Sequence, residues 1–303
     1  MEGKNSKNPY FKVSVIITAY NVEKYIEKAI QSVFSQTYKN IEIIVVEDQS
    51  TDSTKDILKE YEKNYKCAVG KDFHVIWNKE NVGAGLSRRY GIKNATGEFV
   101  MLLDADDWLK EDYIEHLVQR QEETDADIVG GGIAYYYEED DHYKVETYGT
   151  RLSTDFQKFK DYQNGRIVFL NNKIVRRSMY DKVEYCDRRY VEDTPVIMKL
   201  LYYANKVAYI NEAGYNYLQR SGSLCHESSK WKHQLFSALC CAELIEWFKD
   251  KPEPYNKIFG LGQFVDYLKS MAAMQNISQD DYINYSKEYI TCNNYLLNNI
   301  SIK

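Results

Sequence analysis

Apolar and polar positions along the first 130 residues recur in two lengths, short β-branched runs and longer stretches with helical spacing. Val13–Thr18 (VSVIIT) is an apolar run that reads as a buried strand. After it, Val22, Ile26, Ala29, Ile30, Val33 and Phe34 share one helical face, with Asn21 placed to cap that helix. Ile41–Val46 predicts a second strand, followed by the turn-rich EDQSTDST and a helix to about Tyr61, which Ser53 or Thr51 can cap. Phe73–Trp77 predicts a third strand, a helix follows from about Gly85 to Asn94, and Glu98–Leu103 predicts a fourth strand. A helix over about Glu111–Glu123 leads to a strand at Asp127–Gly130. Such alternation predicts an α/β fold with an open, mostly parallel sheet flanked by helices. The pattern then loosens. AYYYEEDDHY (134–143) reads as a strand-loop or lid, Pro195–Ala204 as a helix, and Val207–Ile210 and Tyr215–Leu218 as strands. From about Ser228 the spacing is helical.

In open parallel sheets, ligands gather beyond the carboxyl ends of the strands. Polar residues stand at those places here: Thr18–Asn21, Glu47–Asp48, Asn78–Asn81 and Asp104–Asp107. The densest is Asp104-Ala105-Asp106-Asp107, whose carboxylates repel one another unless a cation lies between them. A hard divalent ion, Mn²⁺ or Mg²⁺, suits that donor set, whereas a plain solvated loop is the alternative. Asp48 is placed to accept from a ribose hydroxyl or a base N–H, or else serves as a turn residue. Asn81-Val82-Gly83-Ala84-Gly85 carries glycines but matches neither GxGxxG nor a P-loop. On the next helix Arg88 and Arg89 place one guanidinium toward the sheet and one toward solvent. Glu192-Asp193-Thr194-Pro195 puts two carboxylates at a helix start, where the helix dipole favours negative charge. Arg220, Ser223 and His226 lie on a turn-rich segment able to fold over a diphosphate.

Net charge −6 and pI of about 5.6 disfavour a nucleic-acid partner. Six cysteines without CxxC spacing read as reduced thiols, and MEGKNSKNPYF has no apolar leader region. The apolar runs are strand-sized, too short for a membrane span. Together these features predict a soluble, cytoplasmic protein. The 28 tyrosines suit sugar and nucleotide surfaces, although compositional bias is the simpler account of them. Trp231, Trp247, Phe248, Phe259, Phe264 and Tyr267 make the C-terminal helices either an acceptor-side or self-association platform, giving a homo-oligomer, or simple packing against the sheet.

VSVIITAYN (13–21), IIVVEDQSTDST (43–54), NVGAGLSRR (81–89), ATGEFVMLLDADDW (95–108) and VEDT (191–194) together resemble a family 2 glycosyltransferase of the GT-A fold. The likeness runs over about residues 10–225. It implies an inverting, metal-dependent transfer of a sugar from a nucleotide-diphosphate donor, typically UDP-linked, to a hydroxyl acceptor in cell-surface glycan or glycoconjugate synthesis. Thr18, Ala19, Tyr20, Asp48, Asn81, Gly83, Arg88, Asp104, Arg220 and Ser223 would bind the nucleotide. Asp106, Asp107 and His226 would hold Mn²⁺ or Mg²⁺, Asp193 would be the general base, and Glu192 would face the acceptor. A glycan, lipid-linked or protein acceptor is implied, with peripheral contact at the inner face of the membrane. The implied division is a GT-A domain at 1–227, with a nucleotide-sugar half at about 10–130 and an acceptor half at about 131–227, and a helical extension at 228–303. Two departures stand out: Gln49 occupies a turn-glycine position, and Arg89 replaces an asparagine. The QxxRW element of processive members is absent, which predicts single-sugar transfer. Two rivals remain, a sugar-phosphate nucleotidyltransferase and a binding module without catalysis.

Overall fold

In a computed structural model, residues 11–65, 72–163, 165, 169–183, 193–220 and 230–258 are described. The first half alternates as the sequence predicts: β1 (Val13–Ala19), α1 (Ile26–Phe34), β2 (Ile41–Glu47), α2 (Thr54–Tyr65), β3 (Asp72–Trp77), α3 (Ala84–Asn94) and β4 (Phe99–Asp104). These four strands are all parallel, in the order β3-β2-β1-β4. β1, β2 and β4 are buried almost throughout. Burial on both faces explains why they read as continuous apolar runs rather than alternating ones. α1 turns Ile26, Ala29, Ile30 and Val33 into the core. α3 lies so close to β1 that a Cβ on Gly91 would stand 2.2 Å from Ile16 Cγ2, so this helix needs a glycine at its contact.

β5 (Trp108–Leu109), α4 (Tyr113–Thr124) and β6 (Ile128–Tyr137) come next. β7 (His142–Glu146), β8 (Arg151–Thr154), α5 (Gln157–Gln163), β9 (Lys173–Arg176), α6 (Asp193–Tyr203) and β10 (Lys206–Gln219) complete the sheet region. The sheet continues from β4 through β9, β6 and β10 to β5, with β7 on β6 and β8 on β10. β9 is antiparallel to both β4 and β6, whereas β6 and β10 are parallel. Sheet and helices together make a mixed α/β fold whose central strands are parallel.

Three expectations need correcting. Asn21 does not cap α1, which begins at Ile26 behind Tyr25. Asn21 has φ 52, and its side chain accepts from Thr51 N at 2.7 Å instead. A short amide tolerates the left-handed region and bonds across the loop, and this outcompetes capping. The tyrosine-rich stretch forms the β6–β7 hairpin, in which Tyr136 pairs with Tyr143. Val207–Ile210 and Tyr215–Leu218 are parts of one strand, β10, whose pairing slips between Tyr209 and Tyr215.

The chain divides into two compact units, Met1–Arg189 with Val196–Arg220, and Tyr190–Pro195 with Ser221–Lys303. In the second, α7 (Lys230–Phe248) leads to a short 3-10 turn at Tyr255–Lys257, and Trp247 packs edge-on to Phe248. Cys240 and Cys241 there are buried; Cys67, Cys186, Cys225 and Cys292 lie outside the described residues. Among the described residues no helix is long and apolar enough to cross a membrane.

Candidate active site at the strand ends

Because β1, β2, β3 and β4 are parallel, their carboxyl ends meet at one edge of the sheet, and the backbone ties these ends together. Asp48 N donates to Ala19 O at 2.9 Å, and Asn78 N donates to Glu47 O at 3.0 Å. The Asp48 carboxylate is 3% exposed and accepts from Val82 N, Gly83 N and Asn78 Nδ2 at 2.8–2.9 Å. Asn81 Nδ2 adds a bond to Asp48 O. Asp48 therefore fixes the 78–83 loop from below, and Gly83 (φ 85) turns that loop into α3. Glu47 accepts from Gln49 N and Ser50 N, closing a turn in which Gln49 adopts φ 63. That backbone state explains why glycine is the simple choice there. Gln49 offsets the strain by donating to Asn78 O and accepting from Lys55 Nζ at 2.8 Å.

The 20–23 segment is stitched to the 50–54 turn. Asn21 N donates to Ser50 Oγ, Val22 N to Thr54 Oγ1 and Glu23 N to Asp52 Oδ2, all at 2.9–3.1 Å. This leaves Tyr20 48% exposed above a buried Ala19, with Thr18 half-buried.

At the end of β4 the surroundings change. Arg88, 8% exposed, donates to Asp104 Oδ1 at 2.8 Å, whereas Arg89 faces solvent. Asn171 Nδ2 donates to Asp104 Oδ2 at 2.7 Å. Arg220 reaches Asp106 Oδ2 through Nε at 3.2 Å and Nη2 at 3.0 Å, its guanidinium 4.8 Å from the Tyr25 ring centre. Asp104 and Asp106 keep 28% and 23% of their side chains exposed. Asp107 is 1% exposed and turned inward, accepting from Tyr215 OH and from Leu218 N at 2.9 Å. Burial raises the pKa of Asp106, and Asp104 adds to the rise while Arg220 opposes it. Burial also pushes Asp107 well above the ordinary carboxylate range, reinforced by Asp104 and Asp106. Tyr215 is raised by its burial and by Asp107.

Asp104 and Asp106 are thus half-buried hard oxygen donors, a set that would suit Mn²⁺ or Mg²⁺. Asp107 was expected as a ligand, but its carboxylate joins β4 to β10. Among the described residues, the trio that brings three ligand atoms within 4.8 Å lies elsewhere, at Asp112, His116 and Glu212. Lys110 already stands 2.7 Å from Glu212 there, so the trio reads as an ion-pair network.

Of the other expected residues, Asp193 opens α6 and falls in the second compact unit. Glu192, Ser223 and His226 lie outside the described residues. Sequence reading missed Asn171 and Tyr215, which reach Asp104 from the turn before β9 and from β10. The polar pair Asn171-Asn172 ahead of Ile174-Val175 was the available signal.

Residues 14–184 match the family described as Glycosyl transferase family 2. The chain is 30% identical to Glycosyltransferase GlyA of Streptococcus pneumoniae over 75% of its length, and spans about a third (34%) of that relative. It is 29% identical to Glycosyltransferase GlyG of the same organism over 70% of its length and 72% of that protein. The crystal structure of Staphylococcus aureus TarS residues 1–349 in complex with UDP-GlcNAc superposes with a TM-score of 0.69 at 22% identity, covering 93% of this chain and 81% of that one. The fold and the family match converge: the chain belongs to glycosyl transferase family 2.

Proposed function

We propose that the protein moves one sugar, with inversion, from a UDP-sugar to a hydroxyl acceptor on a cell-surface glycan or glycoconjugate, with Mn²⁺ or Mg²⁺ as cofactor. The observation that carries this reading is the pair Asp104 and Asp106, solvent-facing carboxylates at the end of a buried parallel strand. Their partners are the side chains Arg88, Asn171 and Arg220. Arg220 can leave Asp106 for a ligand without unfolding any strand, while Arg88 and Asn171 keep Asp104 oriented. UDP is the nucleotide favoured, because the TarS structure of the same fold holds UDP-GlcNAc.

Asp106 would hold the ion, with Asp104 beside it toward the ribose. The ion would neutralise charge on the departing diphosphate. Arg220 is the protein's own cation for the same charge, and Arg88 holds Asp104 in place. Thr18, Ala19, Tyr20 and the Asp48-anchored loop with Asn81 and Gly83 would seat the base. Asp107 is reassigned from the metal to holding β4 on β10. Asp193 is the base on the strength of the VEDT motif, taking the acceptor hydroxyl proton as that oxygen attacks the anomeric carbon. Glu192 would orient the acceptor, Ser223 would join the diphosphate contacts and His226 the metal shell. The rest of the reading is a peripheral protein at the inner face of the membrane.

Incubating the full chain with a panel of UDP-sugars, Mn²⁺ and hydroxyl acceptors, and measuring nucleotide release, tests the reading. Release of UDP is expected. Turnover only with pyrophosphate would identify a nucleotidyltransferase, and binding without turnover a lectin-like module.

A further inference from the structure

Lys173 is the first residue of β9 and is 1% exposed. An ammonium this deep needs its donors satisfied, because an unsatisfied buried charge is strongly unfavourable. Here the oxygens of one turn satisfy it. Nζ donates to Phe169 O, to Asn171 O at 2.6 Å and to Asn172 Oδ1 at 2.6 Å. The lysine thus winds residues 169–172 around its own charge.

The turn is clamped on its far side too. Asn172 sits at φ 57, donates through Nδ2 to Gly131 O at 2.7 Å, and accepts at its carbonyl from Tyr113 OH at 2.6 Å. Tyr113 is fully buried, and a Cβ on Gly214 or Gly131 would stand 2.0 Å or 2.7 Å from its atoms, so it has no room to shift. One side chain of the turn points the other way. Antiparallel pairing sets Met101 opposite Ile174, and counting on along both strands brings position 171 beside 104. Asn171, 8% exposed, donates from Nδ2 to Asp104 Oδ2 at 2.7 Å and to Tyr215 OH at 2.9 Å.

Resting on the function proposed above, we propose that Asn171 is the positioning residue for Asp104, and that buried Lys173 is the post that sets it. Arg88 fixes one oxygen of Asp104 and Asn171 the other, so the carboxylate meets the donor nucleotide already oriented. Preorganisation of this kind lowers the loss of side-chain freedom on binding. Nothing in it requires Asn171 to touch the sugar.

The test uses the full chain, with initial rates on the UDP-sugar that the wild type turns over and calorimetry with UDP and Mn²⁺. Asn171→Ala removes the amide but leaves every Lys173 acceptor, since the lysine uses the backbone oxygen of residue 171. Donor KM and the UDP dissociation constant should each rise about tenfold, the order expected for losing a hydrogen bond to a charged group. The kcat, the acceptor KM and the melting temperature should stay near wild type. Asn171→Asp puts a second carboxylate against Asp104 and should weaken UDP more than alanine does. Lys173→Met should lower the melting temperature and, where it folds, reproduce the donor defect. Unchanged donor KM and UDP affinity in Asn171→Ala, or loss confined to kcat, overturns the proposal. A wild type that neither binds UDP nor releases it overturns the reading of function itself, and this inference with it.

Discussion

Two acidic turns follow β2 and β4, the parallel strands on either side of β1, and they use their carboxylates in opposite ways. At residues 47–52 the acceptors are met chiefly by backbone N–H groups: Gln49 and Ser50 on Glu47, Val82 and Gly83 on Asp48, Glu23 and Thr54 on Asp52. Burial works against the ionised form of Asp52, yet hydrogen bonds from Thr54 and from the Glu23 and Thr54 backbone prevail and lower its pKa. At residues 104–107 the two outward carboxylates are met by side chains, and Asp106 and Asp107 are raised. Backbone donors cannot leave without unwinding a loop; side chains can rotate. The first turn is architecture; under the proposed function Arg220 on Asp106 is the exchangeable partner of the second, while Arg88 and Asn171 keep Asp104 oriented. A count of aspartates does not separate the two; the kind of donor does.

Four experiments strain this contrast. Asp106→Ala has the largest expected effect: nucleotide release should fall to background while urea unfolding shows stability within about 0.5 kcal/mol of wild type. Near-normal turnover by this variant in EDTA-treated buffer would remove the metal role. Asp193→Asn keeps the shape at the start of α6 but cannot take a proton, so kcat should drop about 10²–10⁴-fold with UDP affinity unchanged. A silent Asp193→Asn beside an inactive Glu192→Gln would reverse the two assignments.

Asp48→Ala should behave unlike Asp106→Ala. It strips acceptors from two backbone N–H groups and a buried amide, so stability should fall by about 1–3 kcal/mol per group left unsatisfied. UDP affinity should weaken alongside it, by about 1.5–3 kcal/mol if the carboxylate also meets the base. Loss of UDP affinity with full stability would move Asp48 to the exchangeable class. The smallest effect is expected at Gln49. Gln49→Gly relieves a left-handed backbone but gives up the bonds to Asn78 and Lys55, leaving stability within about 0.5 kcal/mol of wild type. Gln49→Ala keeps the strain and loses the bonds, and should cost about 1 kcal/mol. Equal stability for the two variants would show that the left-handed backbone carries no strain.

The sequence made the four parallel strands and their helices legible because two-sided burial leaves long β-branched runs such as Val13–Thr18 and Ile41–Val46. Strand-end chemistry followed from that, so Asp48 and the Asp104–Asp107 cluster could be picked out by position, whereas the choice of Arg88 over Arg89 rested on the family resemblance. What stayed hidden came from non-local pairing. β10 was split in two because its bulge around Ala213 interrupts the apolar pattern, and Tyr215 was therefore not seen beside Asp104. Asn171 was hidden for a related reason: β9 runs against its neighbours, and no local periodicity announces a reversed strand. Asp107 was read as a ligand because it sits in the acidic run, although the turn at 105–106 directs its carboxylate to Tyr215 and Leu218 of β10.

The reversal of β9 bears on how this architecture tolerates change in length. In a parallel sheet only the segment after a strand arrives at the working edge, whereas a reversed strand delivers the segment before it. After β6 the chain builds β7, β8 and α5 over residues 138–163, and the 169–172 turn stands at the same edge. Both anchors of that turn, the Gly131–Asn172 bonds and the β4–β9 ladder, lie outside residues 138–163. Changes of length in the turns between β7, β8 and α5 leave both anchors in place, and doubling a flexible loop raises its closure entropy by only about 0.6 kcal/mol. Diversification among chains of this shape has a natural place to accumulate there, beside the chemistry yet outside the frame that holds it.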